Sequence, residues 1–387
     1  MTPPAPAPET SRLRLEYVDG VRALAALIVY LNHAYAQVTY GDYFQLKGPW
    51  ALTKYSMVAG HLSVTVFIVI SGFCLTLPVV SNDGKLRGGV VDFFKRRARR
   101  ILPPYYAAVG LCLLLIWTII GKPTVSLWDY PLQVSPFAIF SHLLVIQDLF
   151  ATSRINYVFW SIAVEWHIYF LVPLLVLAWR RFGAAATVGG AMVLGYGLRF
   201  GFEGTRITRA HPQFLGMFAL GMLAAYVVRS PEARYVRLRD KLPWGLFAAL
   251  GLLVAVGLTH LWGVAASEGL FHLLDAPVGV MSASLLILVG RKPRSLLGRA
   301  FDWPPLVALG TFSYSFYLIH APLLQVIWQY VLVPLKCSRE AMLGWLLTLG
   351  LGAIALASYG FFRLFEAPFM GAARSVPSRK PEPEPAA

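Results

Sequence analysis

Ten apolar runs recur along this 387-residue chain, each near the roughly 20 residues that carry a helix across about 30 Å of hydrocarbon. They cover 21–37, 60–80, 104–120, 157–179, 184–200, 212–228, 242–262, 270–290, 305–330 and 342–365. Composition agrees, with 57% apolar and 14% charged residues, where soluble domains average about 25% charged. The pattern excludes an ordinary soluble enzyme and predicts an all-α, polytopic membrane bundle of about ten transmembrane helices. The stretch 136–150 is too short and too polar for a span. It reads as an interfacial or re-entrant segment before the fourth helix.

The few charges set an orientation. There are 34 Lys and Arg against 19 Asp and Glu, a net charge of +15. In an apolar chain such an excess signals cytoplasmic loops rather than nucleic-acid binding. The even loops hold Lys85, Arg87, Lys95, Arg96, Arg97, Arg99, Arg100, Arg180, Arg181, Arg229, Arg234, Arg237, Arg239, Lys241, Arg291, Lys292, Arg294 and Arg299. The odd loops hold only Lys47, Lys54, Lys122, Arg154, Arg206, Arg209, Lys336 and Arg339. The positive-inside rule therefore puts both termini in the cytoplasm, and an eleventh span at 136–150 would erase the contrast. The Pro- and Ala-rich residues 1–14 and the Pro-Glu-Ala tail 371–387 are expected to be disordered extensions of a membrane domain over 15–370. No cleavable signal peptide is expected, since the first apolar run lacks a small-residue cleavage site. Cys74, Cys112 and Cys337 are scattered, with neither a disulfide framework nor zinc spacing.

Ionisable groups inside spans are costly and mark function by default. Arg22 and His33 are eleven residues apart, three turns plus about 20° of a helix, so they share a face roughly 16 Å apart along the axis. Asp19 lies one turn before Arg22 on nearly the same stripe. A cation at the water boundary and an imidazole at depth suit the two ends of one long, thin ligand in a shared channel. A snorkelling arginine with an interhelical histidine is the plainer alternative. Ser161, Glu165 and Tyr169 repeat every four residues as a polar stripe. Its carboxylate has three readings beside a packing role: orienting His33, holding a basic group, or contacting sugar hydroxyls. Ser313, Tyr317 and His320 share another face, with Tyr314 adjacent. Glu366 and Arg363 are spaced for a local ion pair of structural character. Ser71 and Gly72 suit close helix packing. The remaining histidines receive no role, although His142 with Asp148 becomes interesting if 136–150 is re-entrant. No phosphate loop, nucleophile elbow or metal cluster is visible, and no metal is expected.

Several strings resemble the acyltransferase family 3 membrane proteins. LEYVDGVRALAALIVYLNHAYAQ (15–37) carries the D-G-x-R-A segment and the Arg-x10-His pair as Arg22 and His33. FIVISGFCLTLP (67–78) follows, then RRARRILPPYY (96–106), with Arg-x-x-Arg as Arg97 and Arg100. FWSIAVEWHIYFLVP (159–173), LGTFSYSFYLIHAPLL (309–324) and FRLFEAP (362–368) complete the family's order. His167, after Glu165 and Trp166, departs from the pattern and is not assigned to catalysis. An added extracytoplasmic esterase-like domain, found in some relatives, is not expected.

The resemblance implies transfer of an acyl group, most often acetyl, from cytoplasmic acyl-CoA to a hydroxyl of a cell-surface polysaccharide or other glycoconjugate. It implies acetyl-CoA as co-substrate with no bound cofactor, residence in the bacterial inner or plasma membrane, and polysaccharide-assembly proteins as further partners. Arg22, Arg97 and Arg100 would bind the donor, since guanidinium groups hold phosphate bidentately. Anionic-lipid contact is the plainer reading of the whole 95–100 cluster. Neutral His33 would be the general base toward the acceptor or would carry the acyl group itself. Glu165 is the second catalytic candidate; Asp19, Ser161, Tyr169, Ser313, Tyr314, Tyr317 and His320 are site support. Two alternatives stay open: a secondary transporter or flippase of a saccharide-like solute, and acylation of a cytoplasmic glycosylated metabolite such as a macrolide.

Overall fold

A backbone in hydrocarbon has no water to bond, so each apolar run must close its hydrogen bonds within itself as a helix. A computed structural model of the chain describes residues 15–40, 46–150 and 155–370. The predicted extensions 1–14 and 371–387 lie outside the described residues, as does Arg154. The described part is helical and contains no strand. Its first half comprises α1 (Glu16–Val38), α2 (Ser56–Val80), α3 (Gly89–Thr118), α4 (Pro136–Leu143), α5 (Trp160–Gly201), α6 (Arg206–Arg209) and α7 (Phe214–Arg229). The second half begins with α8 (Ala233–Lys241), α9 (Trp244–Trp262), α10 (Val264–Gly269), α11 (Phe271–Arg291) and α12 (Leu296–Phe301). It ends with α13 (Pro304–Thr311), α14 (Ser313–Ile327), α15 (Val333–Leu335), α16 (Arg339–Trp345), α17 (Leu351–Phe361) and α18 (Ala367–Met370).

Among the described residues, eight helical segments are long and apolar enough to cross a bilayer, so the protein is a multi-pass membrane protein. All ten apolar runs fall on helix, and two differences separate ten from eight. The fourth and fifth runs are one 42-residue element, α5, broken at Gly183 (φ 83°, ψ 178°), a conformation open to glycine. α1 is not among the eight, because Arg22, Asn32, His33 and Gln37 dilute its apolar run. Those four side chains are buried or half-buried inside the bundle. α4 turns Ala138, Ser141 and His142 inward and leaves Phe137, Phe140 and Leu143 exposed, the one-sided pattern of an interfacial helix.

α2 is the centre of the bundle and packs on α7, α1 and α11. It crosses α7 through paired glycines. A methyl group added at Gly72 would sit 2.1 Å from the Phe218 carbonyl oxygen, and one at Gly221 would sit 2.0 Å from that of Val69. Gly72→Ala is therefore expected to lower the unfolding midpoint of the detergent-solubilised protein, at a cost of about 1–3 kcal/mol from overpacking. An unchanged midpoint would show that the crossing relaxes freely.

The basic loops meet at one end. Gly84 lies against Arg180 and Tyr226; the Trp179 indole N–H donates to the Tyr235 hydroxyl at 3.1 Å; Arg291 donates to the Arg239 carbonyl at 3.2 Å. Toward the far end, α1 and α14 are pinned side by side, with the Gln37 amide donating to Gln325 Oε1 at 2.8 Å.

Candidate active site

Two cavities enter the bundle from opposite ends. The larger, about 280 Å³, lies at the basic end and is lined from six helices and the turn leading to α18. α1 supplies Arg22, α2 supplies Ser71 and Cys74, and α3 supplies Arg97 and Arg100. α5 adds Ser161, Glu165 and Tyr169, and α14 adds Ser313, Tyr314 and Tyr317. Glu366 closes the wall.

Arg22 is held in place by Asp19 Oδ1 at 3.2 Å and by Cys74 Sγ at 3.3 Å. The spacing on α1 foretold the first contact; nothing in the sequence pointed to Cys74. α3 continues unbroken through the basic cluster, so its helical period sorts the cations. Lys95, Arg96 and Arg99 are exposed, whereas Arg97 and Arg100 turn half-buried into the cavity. The buried Nε of Arg97 has no hydrogen-bond partner in the protein. A guanidinium left with an unused donor facing a cavity suits an anionic ligand.

The polar stripe of α5 faces the same cavity. The Tyr169 hydroxyl donates to Glu165 Oε1 at 2.5 Å and lies 3.1 Å from the Ser71 hydroxyl. Ser161 and Tyr317 join hydroxyls at 2.7 Å, and Tyr314 donates to the Ile101 carbonyl at 3.2 Å. Ser313 turns its hydroxyl back onto the Gly310 carbonyl. Glu165 therefore sits among the arginines, bonded to Tyr169 and not to His33.

Glu366 departs from its expected role. Its carboxylate accepts from the backbone N–H and hydroxyl of Ser315, at 3.2 and 2.5 Å, and it is buried. Arg363 is exposed and donates to the Tyr359 hydroxyl instead. The expected ion pair is not formed because the chain widens into a π-turn over Phe362–Glu366. The extra residue in that turn rotates Glu366 off the face of Arg363. Asp148 likewise lies beside His167, at 3.3 Å, and His142 bonds the Ala138 carbonyl.

The second cavity, about 200 Å³, lies toward the far end and contains His33. Its wall includes Asn32, His61, Trp160, Glu268 and Phe271. Val64 and Tyr317 line both cavities, so one thin wall separates them. The single channel expected from α1 is thus two chambers, with Arg22 in one and His33 in the other. Glu268, on the short α10 outside the spans, is exposed, and desolvation of its carboxyl raises its pKa above the usual range.

His33 is oriented by His320. Its Nδ1 lies 2.8 Å from His320 Nε2, with the rings nearly coplanar at 13°. His320 Nδ1 faces the carbonyls of Tyr317 and Phe316 at 2.8 and 3.1 Å. Carbonyls only accept, so the proton of neutral His320 is on Nδ1 and its Nε2 must accept from His33. His33 then carries its proton on Nδ1 and a free lone pair on Nε2. That is the tautomer a base requires. Asn32 secures this part of α1 by donating to the Ser56 and Met57 carbonyls.

The chain matches the acyltransferase domain family, acyltransferase 3, over residues 15–363. YrhL of Bacillus subtilis (strain 168) is 26% identical over 328 residues, covering 79% of this chain and 48% of YrhL. The O-acetyltransferase OatA of Staphylococcus aureus (strain NCTC 8325) is 24% identical over 340 residues, 81% of this chain and 51% of OatA. Nodulation protein 10 of Rhizobium leguminosarum bv. viciae is 22% identical over 370 residues, 88% of this chain and 94% of that protein. The chain spans about half the length of YrhL and OatA. No solved structure matches it. With the family match running through α1, the arginine pair of α3, the α5 stripe and α14, the chain belongs to the acyltransferase 3 family of multi-pass membrane proteins.

Proposed function

We propose that the protein is a membrane O-acyltransferase that moves an acetyl group from cytoplasmic acetyl-CoA to a hydroxyl of a cell-surface glycan. One observation carries this reading: an arginine-lined cavity at the basic end is separated by a thin wall from an imidazole pair. The basic end faces the cytoplasm by the positive-inside rule, which puts the described chain ends near Leu15 and Met370 there. This orientation suits a bacterial plasma membrane.

In this reading Arg97, Arg100 and Arg22 hold the CoA phosphates through charge-assisted hydrogen bonds. The slender pantetheine arm runs inward toward Val64 and Tyr317 and delivers the thioester to the wall. His33 Nε2 takes the proton of the acceptor hydroxyl as that oxygen attacks the thioester carbonyl. The C–S bond breaks, and the thiolate takes the proton back from His33. Glu165 and Glu366 balance the guanidinium charge when the donor is absent. The name of OatA supports the acetyl group and the oxygen acceptor.

The test uses the purified full chain in nanodiscs with acetyl-CoA. Release of CoA thiol that depends on an added saccharide is expected. Arg97→Ala is expected to raise the KM for acetyl-CoA roughly 10- to 100-fold, the worth of about 1.5–3 kcal/mol for a hydrogen bond to a charged group. Saccharide flux without thioester cleavage would overturn the reading in favour of transport.

A further inference from the structure

The second cavity contrasts with the first in its charge. Arg22, Arg97 and Arg100 line the donor side, whereas the lining of the second cavity contains neither lysine nor arginine among the described residues. Its one ionised group is the exposed carboxylate of Glu268. Two cations near this end have contacts outside the chamber: Arg199 with His272 at 3.4 Å, and Arg206 over the Phe150 ring at 4.8 Å. The described lining offers no cation to hold a phosphate-bearing donor.

The rest of the wall is aromatic and neutral. The His61 ring is stacked between Phe271, at 3.9 Å, and Trp160, at 5.6 Å. His61 Nε2 is buried and has no partner within the protein. Flat rings offer faces to the C–H surface of a sugar, and an unused ring nitrogen offers a partner to one of its hydroxyls. About 200 Å³ suits one sugar unit at a time. His33, whose free nitrogen must reach the acceptor proton, lines this chamber.

Resting on the transferase reading above, we infer that the second cavity is the acceptor chamber, and that Glu268 at its opening selects neutral saccharides against anionic ones. An approaching carboxylate or sulfate on the sugar meets a like charge, with no cation in the described lining to offset it. Like charges a few ångströms apart repel more strongly beside low-dielectric protein than in bulk water.

The experiment compares two soluble trisaccharides, neutral cellotriose and anionic trigalacturonate, as acceptors for the nanodisc-embedded full chain with acetyl-CoA. Acceptor-dependent thiol release gives kcat/KM for each. The wild-type protein is expected to favour cellotriose by tenfold or more, and Glu268→Lys is expected to shrink that ratio at least tenfold. Glu268→Gln should shift it in the same direction by less. Thiol release whose neutral-to-anionic ratio is unchanged in Glu268→Lys would overturn the chamber alone. No thiol release with either trisaccharide would overturn the transferase reading and the chamber with it.

Discussion

His33→Ala is expected to remove acceptor-dependent thioester cleavage, lowering kcat by about 10²–10⁴-fold, the usual contribution of a positioned general base. The geometry makes this the largest single loss. His33 is joined through its Nδ1 to His320 and so offers Nε2 alone to the reaction. The substitution also leaves His320 Nε2 without its donor, an unsatisfied buried acceptor worth about 1–3 kcal/mol of stability. Folding is therefore checked separately, by a monodisperse elution profile and an unchanged KM for acetyl-CoA. A folded His33→Ala protein that turned over at the wild-type rate would end the role of this residue, whether as base or as acyl carrier. A stable acetyl-histidine trapped at His33 would instead favour the covalent route.

The second large effect is expected at His320, which lies within hydrogen-bond reach of His33 and lines neither cavity. In the proposed reaction it would act through His33, as a positioning residue. His320→Leu removes the acceptor that keeps the His33 proton on Nδ1, so the lone pair on Nε2 is no longer enforced. A wrong tautomer in the serine-protease triad costs about 10⁴-fold in kcat. The loss here is expected to be smaller, roughly 10–10³-fold, because a freed neutral imidazole still visits the right tautomer part of the time. His320→Gln supplies a side-chain oxygen that can accept from His33, and it should recover at least tenfold over His320→Leu. The KM for acetyl-CoA should not move in either variant. Equal activity in the two, or a loss confined to donor KM, would reduce His320 to packing.

Much of this arrangement was legible from local pattern. The eleven-residue spacing of Arg22 and His33 fixed two points on one helix face, and both side chains point into the protein. The family's Arg-x-x-Arg singled out Arg97 and Arg100 from Lys95, Arg96 and Arg99, and the structure turns only those two into the cavity. The stripe of Ser161, Glu165 and Tyr169 also faces one cavity. Where local helix geometry changed, the reading failed. A regular helix brings Arg363 to Glu366, but the π-turn over Phe362–Glu366 sends the carboxylate to Ser315. Gly183 joined two runs into one kinked element, because glycine alone accepts that backbone conformation so readily.

The sequence by itself determined that this chain is helical, where its helices run and which side chains share a face. Lipid compels each apolar run to satisfy its own backbone, and the 3.6-residue period does the rest. Only the tertiary structure decided which faces meet. His33 and His320 are separated by 287 residues, and Arg22 finds Cys74 across 52. Trp160, His61 and Glu268 come to one chamber from three different helices. Such meetings depend on how small residues such as Gly72 and Gly221 let helices approach, a property of pairs of surfaces that no single run of residues contains.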